Sequence, residues 1–357
     1  MIKKYYGDLK KKKAHFLKHK FPLLFSGSSN LAALYYHIFN SGFSREVRGV
    51  LAGKIRHQNL AESEGKNHFM LVRNTHRLEK ALLMRPRKPI FALDYIEETI
   101  NCYVGIASDP EADINLGQLK WSTDVLKEYF DAIDPVDRVA SQKTRFEKVI
   151  NSKKTEFSSS NKSYTPYARK DTDISKIEYD SFYKLCRQRR SVRWFLDKPV
   201  PRQLIDKAIL AAIESPSACN RQPFTYRIFD QKDLVDKVSQ FPMGTKGYAH
   251  NIQTFIVVVG HLDAYFDERD RHLIYIDGSL ANMSLMLALE TLGLGSCPIN
   301  WPEIESREQL MEDFLQLNPW ERPIMCLGIG YPDPEGMVAF SKKRDLSEIR
   351  SYNFDVH

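Results

Sequence analysis

Four separated clusters hold residue types that can do chemistry. The first is Arg189-Arg190-Ser191-Val192-Arg193. Guanidinium groups bind phosphate through planar, bidentate forks, and a serine hydroxyl adds a neutral donor. Taken alone, the run reads more simply as a basic surface turn. The second is Ser215-Pro216-Ser217-Ala218-Cys219-Asn220-Arg221-Gln222-Pro223. Its small residues allow close backbone approach, and Asn220 and Gln222 each carry a donor and an acceptor. Such amides suit the edge of a heteroaromatic ring, although the same residues make an ordinary polar loop. The third is Gly293-Leu294-Gly295-Ser296-Cys297-Pro298-Ile299-Asn300. No third glycine arrives at the dinucleotide-binding spacing, so a Rossmann fingerprint is rejected. The fourth, Lys342-Lys343-Arg344, is by itself a solvated charge run.

These clusters need a scaffold, and the composition allows one. The 357 residues are 43% hydrophobic and 27% charged, which excludes fibrous, disordered and disulfide-stapled classes. The first twenty residues hold eight lysines against Asp8, so they carry the whole net charge of +7 and leave the rest neutral. A neutral body argues against a specific nucleic-acid-binding face. The tail reads as a solvated terminus, with weak contact to an anionic membrane surface or another polyanion as the alternative. Five cysteines, an odd count with no C-x-x-C pair, suggest free thiols in a reducing compartment. No apolar h-region follows the basic start, so the expected location is cytoplasmic, with the inner membrane face as a peripheral option. The segment Phe21–Phe43 is broken by Pro22 and polar residues. The run Leu273–Leu292 contains Asp277, Asn282 and Glu290, and reads as a buried helix rather than a membrane span.

Periodicity divides the chain into a mainly helical region 1–150 with its basic tail 1–20, a polar linker 151–175, and an α+β domain 176–357. Leu31, Leu34, Tyr35 and Ile38 share one helical face. Asp94 is expected to cap a helix over Tyr95–Val104, and Ser122 one over Thr123–Ile133. Beyond the linker, Tyr179–Gln188 and Arg202–Glu214 predict helices. Tyr226–Phe229, Phe255–Val259 and Ile324–Ile329 predict strands, the second apolar enough for a central position. Gly293 is placed to end the long helix.

In this order and spacing, the R-R-S-V-R opening, the P-S-A-C-N-R-Q-P loop, the D-G-S-L-A-N-M-S-L-M-L-A-L-E-T-L-G-L-G-S helix and turn, G-I-G-Y-P and the late K-x-R resemble the nitroreductase-like flavoprotein family over residues ~178–350. The resemblance implies an α+β fold around a mixed sheet, and a homodimer with two FMN molecules at the subunit interface. It implies that Arg189, Arg190, Ser191 and Arg193 contact the FMN phosphate, ribityl chain and ring edge, and that Lys342 and Arg344 complete the phosphate site. It implies that Ser217, Asn220 and Gln222 reach the flavin of the other subunit, and that the turn Gly295–Asn300, with Gly295, Ser296, Ile299 and Asn300, lies against the flavin near N5. A cation such as Arg193 would stabilise negative charge gained on reduction. No side-chain nucleophile is then required, and NAD(P)H and a small organic acceptor would react in turn.

Two departures stand out. Pro298 cannot donate an N–H near flavin N5, which leaves Ile299 or Asn300 to do so. Phe224 stands where tryptophan often follows Q-P. In the first half, Asn74-Thr75-His76-Arg77-Leu78-Glu79-Lys80 and Met84-Arg85-Pro86-Arg87 resemble the extension of nitroreductase-family proteins associated with surface-polysaccharide biosynthesis. His76 and Glu79 lie one turn apart, but without a second pair they are read as an i, i+3 contact rather than a metal site. The leading expectation is an FMN-dependent oxidoreductase using NADH or NADPH, with a quinone, nitro compound, enone or glycan-pathway intermediate as acceptor. The alternative is a non-catalytic, flavin-binding or flavin-free scaffold in a polysaccharide system.

Overall fold

A computed structural model describes residues 10–62, 65–109, 115–152 and 162–353. The first nine residues of the tail and residues 153–161 of the expected linker lie outside these residues.

The helical region runs α1 (Ser29–Ile38), α2 (Ser44–Glu62), α3 (His68–Leu82), α4 (Ile96–Ser108), α5 (Leu116–Ala132) and α6 (Asp137–Ser152). Helices α3 to α6 bury one apolar face each and share a core containing Leu71, Leu78, Ile100, Tyr103, Leu126, Tyr129 and Phe146. The expected helix starts were misplaced. Tyr95, not Asp94, precedes α4 at the cap position, and Asp94 instead accepts from Arg77 Nη2 at 3.2 Å. Helix α5 begins seven residues before the expected start, where the Asn115 side chain accepts from the Gly117 and Gln118 N–H groups. Ser122 is buried mid-helix and accepts from Thr75 Oγ1 at 3.0 Å. A cap-type residue inside a helix is consistent with its pattern when another helix supplies its partner.

The second part contains α7 (Tyr179–Gln188), α8 (Arg202–Ile213), β1 (Phe224–Phe229), α9 (Lys232–Val238), β2 (Thr254–His261), α10 (Leu273–Thr291), β3 (Gly295–Asn300), α11 (Glu305–Leu315), β4 (Glu321–Gly330) and the short α12 (Leu346–Ile349). The strands form one sheet in the order β1-β2-β4-β3. All three strand pairings are antiparallel. The parallel component of the expected mixed sheet is an isolated bridge between Ser191 and Ser296. Val257 and Val259 of β2 face one core with Phe255, Trp301 and Met311. Ile256 and Val258 face the other, with Ala208, Ala212, Leu285 and Leu289 from α8 and α10. Burial on both faces explains why β2 reads as a continuous apolar run. Gly293, at φ +75°, turns the chain from α10 into β3, a left-handed conformation that glycine adopts without a Cβ penalty.

Helix α2 joins the two parts. A Cβ on Gly53 would stand 2.6 Å from the Leu262 carbonyl carbon, so only glycine lets α2 approach the backbone this closely. Phe69 of α3 meets Leu262, Ala264, Tyr265 and Ile274 in a further cluster.

Candidate functional site

The arginine run is built onto the sheet edge by backbone pairing. The Val192 N–H donates to Ser296 O at 3.0 Å, Leu196 N–H to Tyr331 O at 2.9 Å, and Asp333 N–H to Trp194 O at 3.0 Å. Residues 191–196 therefore run between the start of β3 and the exit of β4. Two glycines make room: a Cβ on Gly295 would meet Val192 Cγ2 at 3.0 Å, and one on Gly330 would meet the Phe195 ring at 2.8 Å. Helix α7 delivers the run, and Gln188 at its end donates to Glu290 on α10 at 3.1 Å.

The three guanidinium groups have few charged partners, with the Arg189 charge acting on the Glu290 carboxyl and Arg193 on Tyr248. Among the described residues no carboxylate lies at ion-pair distance from Arg189, Arg190 or Arg193. Arg189 Nε is buried and has no hydrogen-bond partner, and neither has Ser296 Oγ. Arg193 approaches the Tyr248 ring at 5.9 Å. Burial, then the bond to Cys297, pushes the Tyr248 hydroxyl up, so it stays protonated and able to donate. Burial likewise raises the Glu290 carboxyl, opposed by Gln188 and Arg189.

The loop 215–222 sits elsewhere. Ser217 Oγ donates to Asp277 Oδ2 at 2.6 Å, Ala218 N–H donates to the same oxygen at 2.9 Å, and the Gln222 N–H donates to Ser217 Oγ at 2.8 Å. Cys219, Asn220 and Gln222 have φ of 54°, 55° and 49°. Holding three non-glycine residues there costs on the order of 1 kcal/mol each, which the anchoring bonds offset. Helix α3 packs over Ala218–Asn220. Arg221 is buried, with its guanidinium 4.8 Å from the Tyr265 ring. Because the loop leads into β1 while Ser191 bridges to β3, the two clusters attach to opposite edges of the sheet.

The remaining candidates divide. Gly295–Asn300 is a strand rather than a turn, with Pro298 on the edge strand, where a missing N–H is tolerated. Ile299 is buried and its side chain belongs to the core, whereas Asn300 is exposed. Lys342 pairs with Asp345 at 3.0 Å and Arg344 donates to Glu348 O at 2.8 Å, both exposed and without contact to the arginine run. His76 Nδ1 lies 3.4 Å from Glu79 Oε2 as an i, i+3 contact. Asp277 escaped the sequence reading as a loop anchor; its signal was an acid inside an apolar helix, where a buried charge requires partners.

The profile of the nitroreductase family matches residues 186–245 and 242–331. A protein of Archaeoglobus fulgidus described as an NADH dehydrogenase/NAD(P)H nitroreductase is 30% identical over 159 residues, covering 44% of this chain and 80% of that one. Iodotyrosine deiodinase 1 of Rattus norvegicus is 31% identical over 215 residues, covering 52% of this chain and 73% of its own. A crystal structure of an NADH dehydrogenase/NAD(P)H nitroreductase from Bacteroides thetaiotaomicron superposes with a TM-score of 0.42 at 23% identity, covering 48% of this chain and 96% of that one. The family match and these relatives support an oxidoreductase enzyme. The chain belongs to the nitroreductase family.

Proposed function

We propose that this protein is an FMN-dependent oxidoreductase that passes reducing equivalents from NADH or NADPH to an organic acceptor. The observation that carries the reading is the open cationic run, with three guanidinium groups lacking carboxylate partners and Arg189 Nε and Ser296 Oγ left without hydrogen-bond partners. Those donors fit a phosphorylated cofactor. Arg189, Arg190, Ser191 and Arg193 would hold its phosphate and polyol, with Lys342 and Arg344 free to exchange their exposed intrachain contacts for the same phosphate. Bound FMN would supply hydride transfer, accepting from the nicotinamide and donating to the acceptor in alternation. This chain's part would be binding, orientation and charge: Arg193 would offer a cation to the ring, and Ser296 with the Gly295–Asn300 strand would wall the site.

Two copies complete the site in this reading. On α10, Ile276, Leu280 and Met283 form an exposed apolar stripe at helical spacing. The 215–222 loop is bonded to the same helix through Ser215–Ser284 and Ser217–Asp277. Covering that stripe with a second copy would carry Ser217, Asn220 and Gln222 to the partner's arginine run, which one chain keeps at the opposite sheet edge. This reading takes the protein as a homodimer, and the neutral body and free thiols favour the cytoplasm. The acceptor is a quinone, nitro compound, enone or glycan-pathway intermediate. The identity to an iodotyrosine deiodinase adds reductive deiodination as the second acceptor chemistry to test. Initial rates of NADH and NADPH oxidation with each acceptor class, including 3-iodotyrosine, test the proposal: parallel double-reciprocal lines support alternation, and no turnover with any acceptor in FMN-loaded protein supports a scaffold instead.

A further inference from the structure

The segment before α2 is built unlike the rest of the molecule. From Lys10 to Ser44 it contains six lysines and three histidines and no acidic residue. Not one described residue before Gly49 is buried. Its order comes from rings packed on one another: Phe21 lies 5.2 Å from both Phe25 and Phe39, and Tyr36 lies 4.5 Å from Phe43. The Ser28 side chain caps α1 by accepting from the Leu31 N–H at 3.2 Å. The fold is a self-packed hairpin that leaves much apolar surface in water. Leu23 and Leu24 are 66% and 67% exposed, and Phe16, Leu17, Leu31, Leu34, Ile38, Phe39 and Phe43 are exposed as well. Contiguous exposed apolar surface of this kind marks a contact that the isolated chain does not make.

We propose that residues 10–43 are an interfacial docking element that seats the protein on an anionic lipid bilayer. The Phe and Leu side chains enter the boundary between headgroups and acyl chains, and Lys10, Lys11, Lys12, Lys13, Lys18 and Lys20 lie against lipid phosphates. Amphipathic, lysine-rich segments with Phe and Leu bind bilayer interfaces through both terms together. The charge distribution selects this occupant. A second copy would bring six lysines against six lysines, with no carboxylate in either segment to relieve the repulsion. A nucleic acid would satisfy the lysines but not the exposed leucines. The element is continuous with α2, which docks on Leu262 through Gly53, so the bilayer would be held at a fixed place relative to the sheet. This placement is independent of the flavin chemistry.

The test is co-sedimentation of the full-length, FMN-loaded protein with two kinds of vesicle. One is phosphatidylcholine alone, the other a three-to-one mixture of phosphatidylcholine and phosphatidylserine. Partitioning into the mixed vesicles should exceed that into the neutral ones by about tenfold or more, and fall steeply as salt is raised. Leu23→Ser with Leu24→Ser, and separately Lys11→Glu with Lys13→Glu, should each lower partitioning by about tenfold, with NADH oxidation in solution unchanged. These side chains are mostly exposed, so the substitutions are expected to leave the fold intact. Equal partitioning of wild type into both vesicles, or undiminished binding by the Leu23→Ser, Leu24→Ser protein, would overturn the proposal. So would a loss of molecular mass in light scattering for that variant, which would assign the face to a second copy.

Discussion

Ser217 on the loop and Asp277 on α10 share a hydrogen bond of 2.6 Å, and the same hydroxyl oxygen accepts the Gln222 N–H at 2.8 Å. One buried carboxylate thus holds both ends of the strained loop. Asp277→Ala removes two bonds to a buried charged acceptor and is expected to cost about 2–4 kcal/mol of unfolding free energy. Asn220 and Gln222 would lose their left-handed geometry, so FMN affinity should fall as well. Denaturant unfolding and flavin fluorescence titration check both effects. Unchanged FMN affinity in a protein destabilised by this amount would show that the loop has no part in the site.

The paired substitution Arg189→Ala with Arg344→Ala removes two cations from the proposed phosphate site. Charge-assisted bonds to phosphate are worth roughly 1.5–3 kcal/mol each, so affinity for FMN should fall on the order of a hundredfold or more. Riboflavin, which lacks the phosphate, should bind the variant and the wild type alike. Fluorescence quenching with the two ligands separates a lost phosphate contact from general damage.

Gly330 lets Phe195 close over the end of β4. Gly330→Ala would put a methyl group 2.8 Å from the ring, and the segment 191–196 would have to move off the sheet. Overpacking of this kind costs about 1–3 kcal/mol. The expected result is a lower unfolding midpoint together with weaker FMN binding, because the displaced segment carries Ser191 and Arg193. A shift in stability with no change in binding would separate the packing from the site.

His57 on α2 is 1% exposed, and burial, opposed by its bond to Asp263 O, lowers it to about 4. The unfolded chain takes up a proton near 6.5 and the folded chain does not. His57 therefore contributes stability in full above pH 6.5 and loses it as pH falls toward 4, by about 3 kcal/mol in all. His261, lowered by burial to about 4, acts in the same direction. Asp263, raised by burial to about 7, acts oppositely: its contribution is lost as pH rises from its ordinary value toward 7. Glu290 and Glu308, also raised by burial, act with Asp263, so the His57 contribution is isolated by comparing wild type with a variant that lacks the imidazole. Urea midpoints at about pH 7 and about pH 4.5 for wild type and His57→Gln test this, the variant showing the smaller drop.

Much of the α+β part was legible because its cores impose simple patterns. The apolar run at Phe255–Val259 is the middle of β2, and Leu273–Leu292 marks α10 to within one residue. The helix starts near Asp94 and Ser122 were misplaced because both side chains serve tertiary partners, Arg77 and Thr75. No local pattern distinguishes that use from a cap. The arginine run and the amide loop were visible as residue types, and the structure supplies how each is held. What the sequence did not reveal is Asp277 as the anchor and α3 as the cover over the loop, since both depend on contacts between distant segments.

The most direct measurement is the visible spectrum of the purified, FMN-supplemented protein before and after anaerobic addition of NADH and then NADPH. The account predicts flavin absorbance that stays with the protein through gel filtration and bleaches with at least one of the two nicotinamides. Protein that emerges colourless, or retains a flavin that neither nicotinamide bleaches, would contradict it.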